Sequence, residues 1–106
     1  MSKYTHMTFG EKLKELRESK NLSQREVGAA ISVDAAFISK AEKGEKRISR
    51  DHLDKLSGFL GIDKDILETL WLANKLYQLV ENEDLGHEAL KVAEAEFLYH
   101  TKHKKS

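Results

Sequence analysis

The sequence contains no cysteine, which removes disulfides, thiolate metal sites and a cysteine nucleophile in one step. Proline is absent too. There is no net charge either: 18 basic and 18 acidic residues cancel, so no overall field draws the molecule onto nucleic acid or an anionic membrane, and any such attraction must be local. Long apolar runs are missing, and charge interrupts the chain too often for a membrane span. The polar start, Met1 to Thr8, leads into no apolar stretch of a secretory signal and carries no lipidation motif, which makes the cytoplasm the expected location. Strand-like alternation and hairpin dipeptides are also missing. What remains is a chain of 106 residues, 40% apolar and 34% charged. It is long enough for one compact domain with an appended element, and too apolar to be disordered.

The charge is unevenly placed. Residues 1–60 hold 12 basic and 9 acidic side chains, and residues 61–106 hold 6 and 9, so the N-terminal half is the candidate for an anionic partner. Lys40, Lys43, Lys46, Arg47 and Arg50 sharpen this, relieved only by Glu42 and Glu45.

Helical punctuation organises the rest. Thr8 and Glu11 form a capping box that opens a helix over about 9–20, with Phe9, Leu13 and Leu16 on one face. Asn21-Leu22 breaks it. Ser23 and Glu26 form a second box, leading into a short helix over about 24–31 that carries Val27, Ala30 and Ile31. Asp34 caps a third over about 35–43, with Ile38 and Ala41 inward and Gly44 placed to end it. Ser49 is the expected cap of a fourth helix that bears Leu53, Leu56, Phe59 and Leu60 and stops at Gly61. Asp63 caps a fifth whose apolar surface, from Ile66 to Val80, is denser than a small core needs. After the acidic break Glu81 to Asp84, a last amphipathic stretch runs from Leu85 to about Tyr99, followed by a basic tail expected to fray. The fold class is all-α.

Residues 24–43 carry the functional signal. Two helices crossing at about 100° over a short turn need a small residue where their backbones approach, and Gly28 supplies it. They also need an apolar set to lock the angle, here Val27, Ile31, Val33, Ile38 and Ala41. Such a unit leaves one side of its second helix exposed, at a size that fits the major groove of B-DNA.

These residues resemble the lambda-repressor-like, Cro-type helix-turn-helix regulators, the xenobiotic-response-element (Xre) family. The matching string is Leu22-Ser23-Gln24-Arg25-Glu26-Val27-Gly28, then Val33, then Ile38-Ser39-Lys40-Ala41-Glu42-Lys43-Gly44, with Leu53 through Ile66 similar to the last core helices. The resemblance implies a five-helix DNA-binding domain over 9–67, preceded by an arm at 1–8. It is followed by a helical extension at 68–100 and a basic tail at 101–106. It also implies that Ala35, Ala36, Ser39 and Lys40 face base edges of double-stranded DNA. Ser23 and Gln24, with Lys43, Lys46, Arg47 and Arg50, would line the phosphates. Lys40 suits guanine and the alanines a thymine methyl, but no arginine, asparagine or glutamine offers a bidentate pairing, so DNA shape is expected to contribute to specificity. Two departures stand out: Ser32 occupies the turn position usually held by glycine, at a cost on the order of 1 kcal/mol, and Ile48-Ser49 replaces a frequent proline.

The family works as two-fold dimers on pseudo-palindromic sites, and Leu70, Trp71, Leu76 and Tyr77, with the final helix, are the candidate interface. The alternative is that the final helix folds back over the fifth within one subunit. Phe37 reads as an aromatic prop for the third helix, with contact to a base or to a partner subunit as the alternative. His52, His87, His100 and His103 lack a metal-ligand pattern, and no nucleophile and base are brought together, so neither cofactor nor catalysis is expected. No small-molecule ligand is evident. The expected function is a transcriptional regulator, acting as a repressor and including the controllers of restriction-modification systems and prophage repressors. The alternative is an interaction module or antitoxin whose main contact is another protein.

Overall fold

The computed structural model describes residues 7–103, so most of the N-terminal arm and the last three residues of the basic tail lie outside the described residues. Among the described residues every regular element is helical: α1 (Phe9–Ser19), α2 (Gln24–Ala30), α3 (Ala35–Glu42), a single 3-10 turn (Arg50–His52), α4 (Leu53–Leu60), α5 (Lys64–Val80) and α6 (Gly86–His103). Among the described residues no helix is long and apolar enough to cross a membrane.

The starts follow the capping chemistry. At α1 the Glu11 amide donates to Thr8 Oγ1 at 3.1 Å while the Thr8 amide donates to Glu11 Oε1 at 3.0 Å. Ser23 and Glu26 repeat the exchange at α2 with 3.0 and 2.7 Å. Asp34 accepts from the Phe37 amide at 2.8 Å to open α3. Ser49 does cap a helical turn, but that turn is the tighter 3-10 form, and the α-helical part begins only at Leu53.

The ends of α1 to α4 share one device. A residue one or two positions past the helix takes a left-handed conformation, and the next amide turns back to a carbonyl five residues earlier. Asn21, Ser32, Gly44 and Gly61 hold the left-handed position, with φ of 56°, 63°, 80° and 70°. The returning bonds are Leu22 to Arg17 (3.0 Å), Val33 to Gly28 (2.9 Å), Glu45 to Lys40 (2.8 Å) and Ile62 to Ser57 (3.0 Å). Ser32 thus adopts the conformation for which glycine is the usual choice.

Residues up to Asn74 form one compact unit and those from Lys75 onward another. The core of the first joins Leu13 of α1, Val27 of α2 and Ile31 just after it, Ile38 and Ala41 of α3, Ile48 from the loop, Leu53, Leu56 and Leu60 of α4, and Leu67 of α5. Each fully buried leucine or isoleucine contributes about 1.5–3 kcal/mol. Leu70 and Trp71 close this core. In the second unit α6 continues through His103 rather than ending near Tyr99, since no glycine or proline interrupts residues 87–103.

Candidate nucleic-acid interface

Two close backbone approaches set the angle at which α3 is presented. A β-carbon on Gly28 would stand 2.5 Å from the carbonyl oxygen of Val33, so only glycine lets α2 turn this tightly into α3. A β-carbon on Gly10 would stand 2.5 Å from the carbonyl oxygen of Ala41, which lets the first turn of α1 lie directly on the end of α3. Val27, Ile31 and Ile38, all fully buried, fill the angle between α2 and α3. Phe37 is half-buried and packs on the core, as expected of a prop.

With those faces consumed, α3 turns Ala36, Lys40 and Lys43 to solvent, and Ala35 and Ser39 lie half-buried beside them. The spacing of four and three residues puts Ala36, Lys40 and Lys43 on one side of the helix. Gln24 stands half-buried at the first turn of α2, and Ser23 is exposed before it with its oxygen engaged as the cap. The carboxylate of Glu26, receiving the Ser23 amide, is held below the usual glutamate range.

A polar network ties these pieces together. Glu42 is a buried carboxylate at the end of α3, its side chain 4% exposed. Its two oxygens accept from Arg17 Nε at 2.7 Å, Arg17 Nη2 at 3.2 Å and Gln24 Nε2 at 3.1 Å. The same guanidinium donates to the Leu22 carbonyl at 2.9 Å. The hydrogen bond to Glu42 raises the pKa of Arg17 further. One carboxylate therefore fixes the end of α1, the amide of Gln24 and the end of α3. A depression of about 310 Å³ opens there, lined by Lys14, Gln24, Ser39 and Lys43 among others.

The basic loop is fixed by α5. Its first amides, from Glu45 and Lys46, both turn back to the Lys40 carbonyl at 2.8 and 3.3 Å. Lys46 and Arg47 are exposed, whereas Ile48 is buried, and Trp71 Nε1 donates to its carbonyl at 2.7 Å. Arg50 Nε donates to Glu68 at 2.7 Å, and its guanidinium lies 5.3 Å from the centre of the Trp71 ring. Glu68 and Trp71, one turn apart on α5, thus hold the loop at two points.

A family model described as helix-turn-helix matches residues 13–67, just over half of the chain. The chain belongs to the helix-turn-helix family, in its Cro type. Among curated proteins, it is 32% identical to Control protein C.BamHI of Bacillus amyloliquefaciens over 76 residues, which cover 70% of this chain and 94% of that one. It is 44% identical to Control protein C.MunI of a Mycoplasma species over 55 residues, 51% of this chain and 74% of the relative. No solved structure matches. This helix-turn-helix protein is therefore a DNA-binding transcriptional regulator and not an enzyme.

The structure brings most of the expected site residues to the neighbourhood of α3 and the loop after it. It relocates others. Leu70 and Trp71, expected at a subunit interface, are only 8% and 7% exposed and belong to the core, because their face of α5 covers Ile48 and its neighbours. Leu76 and Tyr77 are more than half exposed. Arg50, expected on a phosphate, is engaged with Glu68 and Trp71. Sequence reading did not find Gly10, Arg17, Glu42 as a buried hub, or Glu68. A glycine in the first turn of an amphipathic helix was the available signal for Gly10, and a lone acid next to inward-facing Ala41 was that for Glu42.

Proposed function

We propose that this regulator binds a pseudo-palindromic operator as a homodimer and acts as a control protein, of the kind that governs restriction-modification genes, by occupying a promoter that includes its own. The carrying observation is the α2–α3 unit itself, whose angle is fixed by Gly28 and whose face of Ala36, Lys40 and Lys43 stands clear of the core. In this reading Ala35, Ala36, Ser39 and Lys40 lie against base edges. Ser23 and Gln24 meet a phosphate at the start of α2, where the helix dipole and unsatisfied amides favour an anion. Lys43, Lys46 and Arg47 follow the flanking backbone, and Arg50 reaches it only by giving up Glu68. The homology supports a regulator of this type, since both relatives carry the name control protein. The exposed Leu76 and Tyr77 are the surface that favours a dimer, and the cytoplasm is the compartment where such a protein meets its operator.

Selection of binding sites from a random duplex pool tests the reading, followed by titration of the best site against scrambled duplex at two salt concentrations. The expected result is an enriched palindrome with half-sites about 10 base pairs apart, and a double variant Lys40→Ala, Arg47→Ala that loses the preference. Equal binding to both duplexes, with no motif enriched, sinks it in favour of a scaffold for a protein partner.

A further inference from the structure

The second compact unit presents an apolar surface that a lone helix cannot keep in water. Leu85, Val92, Phe97, Leu98 and Tyr99 are each more than half exposed. Isolated helices are marginal in water, and helical stability comes chiefly from packing an apolar face, so the 18-residue α6, which exposes Val92 and Phe97 on the same face as the preceding Leu85, calls for a cover. One face gathers these residues: Leu85, Ala89, Val92, Ala93 and Phe97 follow one another along it, with Glu96 and His100 beside them.

The charge along the helix says what fits. Glu81, Glu83, Asp84 and Glu88 gather before and in its first turn, Lys91, Glu94 and Glu96 follow in its middle, and after Glu96 the charged side chains in the sequence are Lys102, Lys104 and Lys105. A sequence that is acidic where the helix begins and basic toward the end of the chain complements a copy of itself laid antiparallel. That is the self-complementary pattern a two-fold interface requires. Size agrees with charge: with the axis near Ala93, the large Phe97 of one copy faces the small Ala89 of the other. A parallel pair would instead stack the acidic ends on each other and the basic ends likewise.

We propose that α6 pairs antiparallel with α6 of a second copy, across a two-fold axis close to Ala93. The inference rests on the dimer reading above and names its interface. The test uses the full chain and exploits its lack of cysteine. An Ala93→Cys variant sits near the axis and is expected to form a disulfide-linked dimer under mild oxidation, since bridged Cα atoms must lie within about 7 Å. Leu85→Cys alone is expected to stay unlinked, because an antiparallel pair separates the two copies of position 85 by about 24 Å. Mixing Leu85→Cys with Thr101→Cys restores the link. In sedimentation equilibrium, Val92→Glu is expected to raise the dimer dissociation constant at least about tenfold, while the melting transition of the unit that ends at Asn74 is unchanged. Self-linking by Leu85→Cys overturns the antiparallel arrangement. A wild-type dimer that neither links through Ala93→Cys nor responds to Val92→Glu overturns the α6 pairing and leaves the dimer reading standing. A wild-type chain that is monomeric both free and on its operator overturns both.

Discussion

Single residues carry two features whose removal gives opposite signs. Ser32 sits at φ 63°, in the left-handed region that costs a residue with a β-carbon about 1 kcal/mol, and the position is exposed. Ser32→Gly is therefore expected to stabilise the protein by about 1 kcal/mol, read from urea denaturation, with operator affinity unchanged. Glu42 works the other way. Its carboxylate is the counter-ion of Arg17, whose side chain is only 12% exposed, and breaking a buried pair from one side leaves an uncompensated charge. Glu42→Ala is expected to cost roughly 3–5 kcal/mol. The double variant Arg17→Met, Glu42→Leu recovers most of that stability, because an apolar pair of similar volume replaces the ion pair. It does not recover operator affinity, since Gln24 has lost the partner that positions its amide. Equal recovery of both properties would show that the network serves folding alone.

At the scale of elements, the helices were legible because their ends are written in local chemistry. Thr8 with Glu11, Ser23 with Glu26 and Asp34 each announce a start, and Asn21, Gly44 and Gly61 each announce a stop, all within four residues of the bonds they make. The tie between α5 and the basic loop was not legible. Trp71 and Ile48 are 23 positions apart, and neither periodicity nor capping carries information over that distance. For the same reason an aromatic on a dense apolar helix reads equally well as an interface or as a core residue. Trp71→Phe separates packing from anchoring: the ring stays, while the buried Ile48 carbonyl loses its donor at a cost of about 1–3 kcal/mol. The expected outcome is a loop less firmly presented, with weaker operator binding and a shallower dependence on salt. A Trp71→Phe protein with lower stability but an unaltered salt dependence would confine Trp71 to the core.

The whole molecule is electrically neutral, yet its proposed work is to hold a polyanion, and the resolution lies in how charge is divided. The first 60 residues carry the basic excess and the remainder the acidic one, so attraction is confined to the face around α3 and the following loop while the C-terminal helix is left to other contacts. Long-range steering is correspondingly weak, and affinity depends on close phosphate contacts whose number the salt dependence reports. In the proposed complex Lys43, Lys46 and Arg47 would supply three such contacts per subunit, and two subunits on one operator about six. At about 0.9 per phosphate, the plot of log affinity against log salt should fall with a slope of about −5. A slope of about −7 would mean that Arg50 leaves Glu68 for the DNA, adding one contact per subunit. Glu68→Gln then provides the control: it removes a negative charge from the loop's support, so if Arg50 is free to reach phosphate the variant binds more tightly and the slope steepens. If the Glu68 clamp serves to present Lys46 and Arg47, the same substitution weakens binding although the protein has become more positive. The sign of that one change, measured at fixed salt, decides whether the loop binds DNA by its charge or by how that charge is held.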